Sequence, residues 1–182
     1  KNIVKNEISA MGERLRMLVL TDYIKKENLS KVASAEEFNS VNIVSIFETL
    51  RRADLNVNIG VLSGTLVILP KTIDLSDVKH RKEKIPNTDY YIVEFSGSLH
   101  RSVDCVGKLF EQGKIQILIG TKSLLGEGWD SPCINSLILA SFVGSFVLSN
   151  QMRGRSIRID RNELKKSSNI WHLVTVEPEY LF

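Results

Sequence analysis

Short apolar runs, each stopped by a polar or glycine-bearing exit, constrain this chain most. Met17 to Leu20 ends at Thr21-Asp22, and Val57 to Leu62 ends at Ser63-Gly64. Leu66 to Leu69 stops at Pro70, Ile115 to Ile119 ends at Gly120-Thr121, and Ser136 to Leu139 is a further such run. Tyr90 to Phe95 and Ile170 to Val176 are strand-like too. Runs this short that are apolar on both faces read as buried strands of a mostly parallel sheet. Helical stripes lie between them. Val4, Ile8, Met11 and Leu15 recur at helical spacing, and Ser40 is placed to cap a helix with Val44, Phe47 and Leu50 inward. Ser98 is placed to cap another, with Leu99, Val103, Val106, Leu109 and Phe110 inward, ending at Gly113. A further helix is expected from near Ser145 through Gln151. Alternating strands and helices imply right-handed crossovers and a three-layer α/β domain. Lys71 to Asp89 shows no period and reads as a polar loop or insertion near 71–89.

One domain over 1–182 fits the 182 residues, a length that can bury a core. The chain opens on Lys1 rather than Met, as an excised piece or processed product would. Ile134 to Leu148, the longest apolar stretch, is interrupted by Asn135, Ser136, Ser141, Gly144 and Ser145, so no membrane partner is expected. Cys105 and Cys133 form no C-x-x-C pair, so neither zinc nor a disulfide is called for, and a reducing cytoplasm fits. His80, His100 and His172 lack metal-ligand spacing and read as surface or capping residues. The balance of 24 Lys+Arg against 21 Asp+Glu permits a polyanion without demanding one.

Chemistry concentrates in two segments. Thr121 to Pro132 follows directly on a strand. Its glycines at 126 and 128 allow close backbone approach, Thr121 offers a hydroxyl at the strand exit, and the Asp130 carboxylate suits a sugar hydroxyl or an arginine. In the second segment Gln151, Arg155 and Arg158 would share one face if helical. Paired guanidiniums suit a phosphoryl group whose charge is spread over several oxygens. An exposed basic helix end would produce the same pattern. Trp129 is expected to pack under its loop rather than contact a base, and Lys79 to Lys84 to be a solvated loop rather than a phosphate grip.

Together the G-E-G-W-D-x-P and Q-x-x-G-R-x-x-R segments resemble motifs V and VI of superfamily-two helicases. The resemblance extends over Met17 to Val176 and is closest to the DEAD/DEAH-like and restriction-enzyme motor branch. Leu18 to Tyr23 sits where motif IV lies, and Val61 to Gly64 resembles the strand-end segment after it. The stretch from Thr121 to Gly128 is longer than in DEAD-box relatives. The resemblance implies a C-terminal, second RecA-like domain of an ATP-dependent helicase or translocase, acting on DNA more than RNA. It implies arginine fingers at Arg155 and Arg158, with Gln151 orienting the phosphate. Gly128 and Asp130 would lie near the ribose, and Thr121 and Gly64 would lie on the nucleic-acid path. ATP and Mg²⁺ would be bound mainly by an N-terminal RecA-like lobe of the same protein. The chain itself has no G-x-x-x-x-G-K-[ST]: Gly107-Lys108 runs into Leu109, and Gly120-Thr121-Lys122-Ser123 lacks the upstream glycine loop. A degenerate, non-catalytic nucleic-acid- or protein-binding module is the rival reading; a small-molecule α/β enzyme is a second.

Overall fold

The computed structural model describes residues 1–22, 32–33, 38, 40–125, 129–141, 146–160 and 166–173, of which 146–149 and 155 by their backbone alone. In chain order the described elements are α1 (Asn2–Met11), β1 (Met17–Thr21), α2 (Ile43–Arg51), β2 (Ile59–Leu62), β3 (Val67–Pro70), β4 (His80–Lys84) and β5 (Tyr90–Phe95). They continue as α3 (Leu99–Glu111), β6 (Ile117–Thr121), α4 (Lys122–Leu125), β7 (Ser136–Leu139), α5 (Phe146–Ser156) and β8 (Asn169–His172). The strands form one sheet in the order β4-β5-β3-β2-β6-β1-β7-β8. From β2 to β8 every pairing is parallel, while β3, β5 and β4 add on antiparallel at the β2 edge.

Strand alternation divides the core in two. Met17, Val19, Ile59, Val61, Ile117, Ile119 and Ile138 face α1 and α2. Leu18, Leu20, Leu62, Leu118, Leu137 and Leu139 face α3, α4 and α5. Both sheet faces are therefore covered, which is why the parallel strands read as unbroken apolar runs. Phe47 of α2 and Phe110 of α3 are fully buried on opposite faces. Each contributes about 1.5–3 kcal/mol of transfer free energy.

Four local expectations need correction. Ser40 does not cap α2. Asn42 does, its Oδ1 accepting from the Val44 and Ser45 amides at 2.9 and 3.1 Å. The Ser45 hydroxyl in turn accepts from the Asn42 amide at 2.8 Å, closing a capping box only this register allows. Leu15 is buried but lies outside α1, beyond the 3₁₀ turn Gly12–Arg14. Ser98 is the N-cap of α3, but its side chain makes no cap hydrogen bond. The segment 71–89 is not a loop throughout, because β4 pairs with β5 from His80↔Phe95 to Lys84↔Tyr91. As the outermost strand, with four of its five residues exposed, β4 has no apolar period to read. Its charges also discourage further edge pairing. Of the expected last strand, Asn169–His172 is a strand, and 174–176 lie outside the described residues.

Candidate functional site

The singled-out residues fall at two ends of the sheet. At the carboxyl ends, β1 and β6 run side by side with Thr21 opposite Thr121. The chain leaves β1 toward α2 on one face and leaves β6 into α4 on the other. Open α/β sheets take ligands at strand ends of this kind. Thr121 is 7% exposed and accepts from the Ser123 hydroxyl at 3.4 Å. Gly64 is exposed beyond β2, the strand next to β6, and a Cβ there would meet nothing. Gly120 is different. A Cβ on it would lie 2.4 Å from Leu125 Cδ1 and 2.9 Å from the Leu62 carbonyl oxygen. Its bareness lets β2, β6 and α4 close together and sets where Thr121 emerges.

Sequence reasoning missed an ion pair at these strand ends. Lys122 reaches Asp22, and the lysine side chain is only 12% exposed. A signal was present: Thr21-Asp22 and Thr121-Lys122 end two apolar runs that turn out to be neighbours.

The second place lies at the other end of the sheet. The Ser168 hydroxyl, just before β8, donates to the Ser156 carbonyl that ends α5, and lies 3.5 Å from the Ile134 carbonyl just before β7. The end of α5 therefore sits at the amino ends of β7 and β8. Buried Met152 and Ser156 anchor the helix, and Gln151 and Arg153 are exposed. Of Gln151, Arg155 and Arg158, expected to share one helical face, the first two lie within α5. The helix stops at Ser156, so Arg158 lies beyond it. The Arg155 side chain lies outside the described residues, as does Gly128. Arg158 instead pairs with Asp130, both side chains about half exposed. Ile157 and Ile159 flank it at 66% and 79% exposure.

Asp130 is fixed by its neighbours. Trp129 packs against Phe110, ring centroids 6.1 Å apart, and over Gly107, where a Cβ would come within 3.2 Å of the indole nitrogen. The packing role expected for Trp129 is the one seen. Ser131 is fully buried and donates to Glu111 at 3.4 Å. A cleft of about 680 Å³ runs along α3, lined among others by His100, Gly107, Ser123, Trp129 and Asp130. It connects the neighbour of Thr121 to the partner of Arg158.

Other candidates are chemically quiet. Burial pushes the Cys133 thiol up to about 11, despite its hydrogen bond with Ser131. Burial also raises Cys105. Neither is a ready thiolate. Among the described residues no group of His, Cys, Asp and Glu could hold a metal ion, and no helix is long and apolar enough to cross a membrane.

A mixed, mostly parallel sheet covered on both faces defines a three-layer α/β domain of RecA-like form. Solved structures share it. The C-terminal part of the Fun30 ATPase domain superposes with a TM-score of 0.54 at 16% identity, covering 97% of this chain and 39% of that one. S. cerevisiae Dbp5, solved bound to Gle1 and IP6, superposes at 0.50 and 11% identity, covering 96% of this chain and 32% of that one. These likenesses are of fold, and the chain spans 39% and 32% of those chains' lengths. No family model matches the sequence, and no curated protein does.

Proposed function

We propose that this chain is the C-terminal lobe of an ATP-dependent helicase or translocase, acting on DNA more than RNA. Its N-terminal lobe would bind most of the ATP and the Mg²⁺. The observation that carries the reading is Arg158, presented beyond the end of α5 between two exposed isoleucines. A guanidinium framed by exposed apolar side chains suits a second protein surface that brings an anion with it. Arg158, together with Arg155, would stabilise charge spread over a transferring phosphoryl group. Gln151, exposed on α5, would help orient that group, and Gly128 and Asp130 would lie near the ribose. Thr121 and Gly64, at the opposite end of the sheet, would line the nucleic-acid path. Closure of two lobes around the nucleotide would then move separate grips along a strand.

Phosphate release by the full-length protein tests the reading. Arg158→Ala should lower ATP turnover by about 10³–10⁵, the usual worth of an arginine finger. Arg155→Ala should lower it by orders of magnitude too, and ATP binding should fall far less. Arg158→Lys should rescue poorly, since an ammonium cannot reproduce the planar fork. Near-normal turnover in both alanine variants, or greater damage from Arg153→Ala, would remove the assignment.

A further inference from the structure

We propose that Asp130 is a positioning residue that aims Arg158, the two acting as one unit, rather than a direct ligand of the nucleotide. The inference rests on the reading of Arg158 given above.

Among the described residues, Asp130 alone holds the Arg158 side chain. It lies past the last residue of α5, so helical hydrogen bonding does not set its direction. The backbone beside it is held, the Ile157 amide donating to the Arg153 carbonyl, but Ile157 and Ile159 are exposed and give the Arg158 side chain no packed support. The contact described for its guanidinium is the Asp130 carboxylate. Asp130, by contrast, is anchored on both sides to α3. Trp129 before it packs on Gly107 and Phe110, and Ser131 after it is buried against Glu111. Rigidity therefore passes from α3 through Trp129 and Ser131 to Asp130, and from its carboxylate to the arginine. A long side chain directed in this way reaches its target already oriented, and misplacement by about 1 Å can cost on the order of 10²-fold in rate. The pair is half exposed on both sides, so it contributes little to folding. Aim and stability are thus separable.

The test uses the full-length protein and compares Asp130→Ala, Asp130→Asn, Arg158→Ala and the double variant Asp130→Ala with Arg158→Ala. Steady-state phosphate release gives kcat and KM, and thermal melting reports the fold. We expect kcat to fall by about 10–100-fold in both Asp130 variants, with KM for ATP and the melting temperature unchanged. The double variant should be no slower than Arg158→Ala alone, because an aim without an arginine does nothing. Should Arg158→Ala abolish turnover while both Asp130 variants keep wild-type kcat, the positioning role is wrong and the finger reading survives. A rise in KM at constant kcat would make Asp130 a nucleotide contact, and multiplicative losses in the double variant would make the two residues independent. Either result overturns the proposal. Near-normal turnover in Arg158→Ala overturns the finger reading itself.

Discussion

Glu7 and Glu48 carry charges that a helix pattern assigns to the surface, yet both are buried. Glu7 accepts from Asn169 at 2.9 Å and from the Trp171 indole at 3.0 Å, tying α1 to β8. Glu48 holds Arg51 at 2.6 Å and Arg52 at 3.2 Å, and accepts from the Ala33 amide. Each satisfies its lone pairs with several donors, the condition for burying a carboxylate. Cys133 shows the same logic for a neutral group, since burial makes its ionisation harder. An unfolded thiol ionises near its ordinary value of 9.0, and the folded one at about 11. Below the lower value both states are protonated. Between the two, unfolding releases a proton, so stability falls as pH rises through that window. Urea midpoints at pH 8 and pH 10.5 should differ by more in the wild type than in Cys133→Ala. The excess should be on the order of 1–2 kcal/mol, allowing for the thiol's partial exposure. Equal pH dependence in both proteins would show that Cys133 does not titrate as its burial requires.

Close approach between elements, more than propensity, decides how β6 delivers its end residues. Gly120 sits where a Cβ would press on the Leu62 carbonyl oxygen, and backbone in a paired strand cannot step aside. Leu125 Cδ1, nearer still, belongs to a flexible side chain but one with no exposed surface. Gly120→Ala should therefore destabilise the domain by about 1–3 kcal/mol, as overpacking of a tight core does. It should also displace α4, read in amide exchange at 121–125. A loss under about 0.5 kcal/mol would mean that β2, β6 and α4 are less tightly closed than their spacing implies. Elements with local signatures are legible in the amino-acid sequence. The stripe in α2, the Gly113 stop after α3 and the apolar runs of the parallel strands each depend on residues a few positions apart. The strand β4 is not legible there, because its partner β5 supplies the pairing and its own exposed residues carry no period.

For the molecule as a whole, the two candidate places stand at opposite ends of one rigid sheet, bridged by the cleft along α3. The isolated chain should show no ATP turnover above background with Mg²⁺ and single-stranded or duplex DNA, since it has no phosphate-cradling glycine loop of its own. Its binding to DNA should be weak and lose strength steeply with salt, each phosphate contact adding about 0.7–0.9 to the slope. Anisotropy across a salt series measures this. Turnover by the pure chain would defeat the two-lobe reading, and tight, salt-insensitive binding would favour a dedicated binding module.

Short-range patterns are enough to set the class of the fold and to single out candidate segments for chemistry. Helical spacing, apolar runs, caps and strand exits all belong to that kind, and Thr121, Asp130 and Arg158 stand out within them. Which of those residues meet is a matter of packing alone. Asp22 reaches Lys122 because β1 and β6 are neighbours in the sheet. Asp130 reaches Arg158 because α5 runs to Ser156 and ends at the amino side of β7 and β8. Residues far apart in the chain come together through sheet order and helix length, and no local period records either.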